Sequence, residues 1–147
     1  MPPLTRWFVK TGLVYLVAAL MVGTLIAAQS VLELPFDKLK AGPAAVAALG
    51  PVYFHLLMLG WVTQLIFGVA YWLFPTYSKE KPRGSERLAR ATYGLLNVGL
   101  VLRVIGEPAN ALQPQTGWGW LLASSAILQW LAGLCFVLNT WGRIKGK

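Results

Sequence analysis

The segment 51-PVYFHLLMLGWVTQLIFGVAYWLFP-75 decides the fold. Between its two prolines it has no Asp, Glu, Lys or Arg, and its strongly polar side chains are His55 and Gln64. A helix needs about 20 apolar residues, rising 1.5 Å each, to cross the hydrocarbon of a bilayer. This run meets that length, and further runs at 12–32, 91–105 and 117–140 give three more candidates. The pattern predicts an all-α, integral membrane four-helix bundle, a single transmembrane domain over 1–147 with helices at about 11–32, 52–75, 88–106 and 117–141. The third helix has the weakest pattern, because Asn97 and Arg103 interrupt its short apolar stretch.

Composition agrees. Of 147 residues, 56% are hydrophobic and 12% charged, with a mean hydropathy of +0.58, too apolar for a water-soluble domain of this length. The N-terminal apolar run is longer than the core of a signal peptide and is read as a retained first span. Cys135 has no second cysteine with which to form a bridge or a cysteine zinc site, and is expected to be a small core residue.

The formal charge of +8 is distributed as a topology signal rather than a nucleic-acid patch. Arg6 and Lys10 precede the first helix, Lys79, Lys81, Arg83, Arg87 and Arg90 fill the second loop, and Arg143, Lys145 and Lys147 form the tail. The first loop balances Lys38 and Lys40 against Glu33 and Asp37, and the third has no Lys or Arg. By the positive-inside rule both termini are expected to face the cytoplasm, in a multi-pass protein of the inner membrane. The lipid bilayer and its anionic headgroups are the expected partners of this charge, with no nucleic acid.

Small and polar residues mark packing faces. Ala19, Gly23 and Ala27 on the first helix and Ser125, Gln129 and Gly133 on the fourth are spaced to let helices approach and hydrogen-bond. Gln64 and Asn97 are expected to bridge helices. Trp118 and Trp120 at one end, and Trp7, Tyr71, Trp72 and Trp141 at the other, fit interfacial belts. Trp61 and Trp130 lie deeper and are expected to pack inside. Ser85, with Leu88 opening an apolar pattern, is a candidate helix start. Pro108 is expected to end the third helix, and PAAVAALG at 43–50 is a possible lead-in turn to the second.

The residues with chemical potential are few. On the expected topology His55, the single histidine, lies near the outer boundary. At 100° per residue it shares a face with Met58, Leu59, Val62, Ile66, Val69 and Leu73, while Gly60, Gln64, Gly68 and Tyr71 occupy the opposite one. One nitrogen ligand above an aliphatic wall suits a b-type haem, which takes an axial histidine and lies against apolar side chains. The alternative is an interfacial histidine bonded to a backbone carbonyl or to water. Arg103, at matching depth, is either a cation for a haem propionate or a snorkelling arginine paired with Glu107. Met58, one turn from His55, is a candidate second contact to the cofactor, or with His55 a Cu(I) ligand.

His55, Gly68, Ala70, Tyr71 and Pro75, on a second helix that follows a cytoplasmic N-terminus, resemble the haem-copper oxidase subunit I superfamily, specifically the second helix of the catalytic subunits of nitric oxide reductases and related cytochrome c oxidases. In that family the corresponding histidine is an axial ligand of the low-spin haem. The resemblance therefore implies a b-type haem on His55 and a place in respiratory electron transfer or redox sensing. It covers only the family's N-terminal part. The second axial histidine and the histidines of the oxygen- or nitric-oxide-reducing centre are absent, so the chain is not a complete oxidase by itself. A homodimer sharing one haem between two His55 side chains would complete the ligand set, as would a partner from a respiratory complex. The competing expectation is a non-catalytic accessory or assembly subunit of such a complex, without its own cofactor.

Overall fold

The computed structural model describes residues 1–32, 42–79, 82–114 and 116–144. Glu33, Asp37, Lys38, Lys40, Lys81, Lys145 and Lys147, used above in the charge argument, lie outside the described residues. The described residues form four helices: α1 (Pro3–Leu32), α2 (42–73), α3 (Glu86–Leu112) and α4 (Trp118–Thr140, closed by a 3₁₀ turn Trp141–Arg143). Each is long and apolar enough to cross a membrane, and the chain is a multi-pass membrane protein.

Helices α1, α2 and α3 run longer than their apolar runs alone indicated, while α4 matches its run. Helix α1 starts at Pro3, in the first turn, where a missing N–H costs nothing. Helix α2 begins at Gly42, so the 43–50 stretch is the lead-in that was anticipated. Ser85 is the N-cap of α3, its hydroxyl accepting from the Leu88 amide at 3.4 Å. Pro108 does not end α3, which continues to Leu112. Proline removes one N–H and crowds the carbonyl four residues back, but here the last turn still closes through the Gln113 amide on the Ala109 carbonyl at 2.9 Å.

Helix α2 is not uniform. Gly42–His55 is α-helical, Leu56–Thr63 is π-helical, and Gln64–Leu73 is α-helical again. Its buried positions Val52, Leu56, Gly60, Gln64 and Gly68 recur every four residues. In a straight α-helix each such step turns the row by about 40°, so four steps would carry it roughly 160° around the axis. The wider π turn, with its i→i+5 bonding, accommodates residues four apart on one side. All five positions therefore enter the groove between α1 and α3. Val52 and Leu56 pack with Ala19 and Leu100. A Cβ on Gly60 would come 2.7 Å from the Tyr15 Cβ, and one on Gly68 would come 2.7 Å from the Phe8 Cβ. Only glycine permits that approach of α1 to α2.

The interior is layered. At the end holding both termini, Leu4, Phe8, Tyr71 and Ala89 form one apolar cluster, with Phe8 edge-on to Tyr93 at 5.1 Å between centroids. At the other end the second cluster joins Ala19, Val52, Leu56 and Leu100, with Tyr15, Tyr53 and Val104 around it. Between them lies a polar level. Gln64, fully buried, donates its amide to Asn97 Oδ1 at 2.8 Å, Asn97 Nδ2 donates to the Tyr93 carbonyl at 2.7 Å, and the Tyr93 hydroxyl meets the Thr11 hydroxyl at 2.7 Å. Gln64 and Asn97 are helix bridges, as their types suggested. Helix α4 packs on α3, where Ser125 donates to the Gly99 carbonyl at 2.6 Å and accepts from Gln129 at 3.2 Å.

Two aromatic expectations are overturned. Tyr71 is not a belt residue: it is 7% exposed and part of the inner cluster. Trp130 does not pack inside. It is 66% exposed, on the outward face of α4 with Ile127 and Leu134, because the α3-facing side of α4 is occupied by Ser125 and Ala132, both fully buried. Cys135 is half-buried rather than a core residue.

Candidate functional site

The structure sets His55 at a structural junction, as the last α-helical residue before the π segment. Its Nδ1 lies 2.7 Å from the Pro51 carbonyl oxygen, four residues earlier, which is the backbone-carbonyl bond expected of an interfacial histidine without a cofactor. A carbonyl only accepts, so Nδ1 carries the proton. In the neutral ring Nε2 is then unprotonated, with its lone pair free to bind a metal or accept a proton. Second-shell bonds of this kind fix the tautomer and orientation of metal-bound histidines. The Phe54 ring stands edge-on to the imidazole, with centroids 6.1 Å apart.

The two faces of α2 divide as the spacing predicted. Gly60, Gln64, Gly68 and Tyr71 are buried against the bundle. Met58, Ile66, Val69 and Leu73 are exposed on the outside, with His55, Leu59 and Val62 half-buried. Met58 lies on this outer surface, and its carbonyl accepts the Thr63 hydroxyl at 2.8 Å, an i−5 bond that matches the π turn. Among the described residues no three His, Cys, Asp or Glu side chains are grouped to hold a metal.

Arg103 shares the level of His55 without meeting it. Val52 and Leu56, flanking His55, pack in one cluster with Leu100 and Val104, flanking Arg103. The guanidinium is committed elsewhere. Its Nε lies 3.0 Å from Glu107 Oε1, in ion-pair range but off the N–H direction, so that this nitrogen makes no directed hydrogen bond. A second nitrogen reaches the Leu122 carbonyl of α4 at 3.5 Å. The pairing with Glu107, one of the two roles open to Arg103, is therefore in place within α3, and the Leu122 contact links α3 to α4.

Sequence reasoning missed Arg143, which it left among the tail charges. The side chain is 1% exposed and spends its nitrogens on the end of α2: Nε to the Pro75 carbonyl at 3.0 Å, and the terminal nitrogens to the carbonyls of Tyr71 at 3.1 Å and Phe74 at 2.6 Å. Pro75 forces Phe74 into an extended conformation (ψ 149°), leaving the last carbonyls of α2 without backbone donors. A guanidinium with five N–H groups satisfies several at once and meets the negative end of the helix dipole. The available signal was the Phe-Pro stop itself, which announces orphan carbonyls but not which cation reaches them. Nearby, Asn139 is buried and accepts from the Ser85 amide at 2.7 Å, tying the start of α3 to the end of α4.

No protein-family model matches the chain, and no curated protein or solved structure does either.

Proposed function

We propose that the chain is a membrane-embedded b-type haem-binding protein, related to cytochrome c oxidase subunit I, in respiratory electron transfer or redox sensing, with His55 as axial ligand. The observation that carries this reading is the Nδ1–H bond to Pro51 at 2.7 Å, which is shared with the cofactor-free alternative but leaves Nε2 available as a ligand. The donor type fits haem iron, and the outward apolar surface of Met58, Ile66, Val69 and Leu73 offers a porphyrin an edge to lie along. A bound haem supplies one-electron redox chemistry. The chain's part is to hold the ligand tautomer through Pro51, present the apolar wall and seat the ligand near one end of the bundle. Arg103 is a weaker candidate for a propionate, because Glu107 already engages it.

One ligand on the outer surface of the bundle leaves the opposite face of the iron to another chain. A second copy, related by a two-fold axis, would supply it as His55 of its own. The proposed setting is the cytoplasmic membrane with both termini inside. The test is spectroscopic. Protein expressed with ample haem precursor and purified in mild detergent should show a Soret band that His55→Ala abolishes. A colourless wild-type preparation would sink the reading, and a band unchanged by His55→Ala would sink the ligand assignment.

The second reading, an accessory or assembly subunit without a cofactor, is favoured by Trp130. Its ring is 66% exposed midway along α4, and an indole N–H in hydrocarbon is costly without an acceptor. A neighbouring transmembrane helix would supply one. Stoichiometric copurification of a larger membrane protein, without pigment, would favour this reading over the first.

A further inference from the structure

The end of the bundle holding the termini carries a cleft of about 1040 Å³, bounded by the start of α1, the loop after α2, the first turn of α3 and the end of α4. We propose that it binds the phosphate of an anionic membrane lipid, with one acyl chain running along α4. The inference does not depend on haem.

Three features combine. Arg83 and Arg87 both line the cleft and are exposed, with no ion pair among the described residues. Glu86, the acidic residue among the described lining residues, pairs with Arg90 at 2.7 Å, so the described lining carries two cations against one paired carboxylate. The first turn of α3 adds the positive end of its helix dipole to these cations.

The lining is mixed, polar at Ser85 and Asn139 and apolar at its leucines. Leu4 and Leu88 line the cleft, and Leu138 lines it from α4. Leu138 is 61% exposed, and Leu134, one turn further into the span, is also exposed. A basic rim leading to an outward apolar track matches a phosphodiester with a hydrocarbon chain attached. A soluble phosphate would use the rim alone. Topology alone asks only that cations lie on one side of the membrane, with no requirement that two of them flank a cleft.

Full-length protein in detergent is titrated with short-chain phosphatidylglycerol and, separately, phosphatidylcholine, and bound lipids are counted by native mass spectrometry. The first phosphatidylglycerol should bind roughly tenfold more tightly than phosphatidylcholine, in line with the attraction of each basic side chain to anionic lipid. Arg83→Gln with Arg87→Gln should reduce that preference at least fivefold. A control with equal charge loss outside the cleft, Arg6→Gln with Lys79→Gln, should retain it. Inorganic phosphate at the lipid concentration should not displace the bound lipid. The proposal is overturned if the wild type shows no preference, if both double variants lose it equally, or if inorganic phosphate competes as an equal. Both pairs are exposed, and unchanged helical circular dichroism confirms that the variants fold.

Discussion

Two basic side chains bond to backbone carbonyls in or just beyond α2, one near each end of its membrane span, and they do so in opposite ways. Arg143 is buried and puts three nitrogens onto three carbonyls, and its burial keeps it from meeting a ligand. His55 is half-buried, uses one nitrogen on the Pro51 carbonyl, and keeps the other. A buried cation with each of its three nitrogens on a carbonyl is a structural clamp. A histidine whose one bond selects its tautomer is prepared for a second bond.

The largest effect that separates the two should come from His55→Ala, with complete loss of the Soret band and little change in thermal stability. Loss of stability without any pigment in the wild type would erase the distinction. Arg143→Ala should do the reverse. Three helix-end carbonyls lose their donor, and the expected destabilisation is about 3 kcal/mol, measured as a lower unfolding midpoint in mixed detergent. Arg143→Lys should recover only part of it, because an ammonium cannot match the fork of the guanidinium.

Gly60→Val tests the groove between the two ends. The new side chain meets Tyr15 and Leu100, and a cost of roughly 1–3 kcal/mol is expected from overpacking. A neutral result would mean that α1 can shift freely. Gln64→Leu combined with Asn97→Leu in a double-mutant cycle should give the smallest effect, a coupling of about 0.6 kcal/mol, typical of hydrogen bonds between membrane helices. A coupling near zero would remove the polar level as a register mark.

The sequence made the four helices, the Ser85 cap and the two faces of α2 legible, because lipid demands long apolar runs and the helical period sorts side chains by face. It could not show what depends on tertiary partners. Pro108 reads as a stop by local chemistry, yet α3 continues past it. Arg143 reads as a topology charge because nothing local says that the carbonyls at Pro75 lie within its reach. Trp130 reads as core because it is deep and aromatic, while its burial is decided by which side of α4 faces α3. At the candidate site, His55 and its outward neighbours were legible. The Pro51 bond was anticipated only as a backbone carbonyl, and the commitment of Arg103 to Glu107 as one of two alternatives.

The π segment carries a consequence for how the protein tolerates changes in length. Deleting one residue between His55 and Gln64 would let the backbone revert to uninterrupted α-helix, a change that hydropathy profiles would scarcely register. In a regular α-helix such a loss would turn everything after it by about 100°, but here the return from the wider π turn, which takes up an extra residue, offsets most of that rotation. Gln64 and Gly68 would then keep Asn97 and Phe8 with His55 still outward, while the residues of the segment itself, Gly60 among them, would change face. The extra width of those eight residues thus acts as a spacer that keeps Gly60 in the inward row between Leu56 and Gln64.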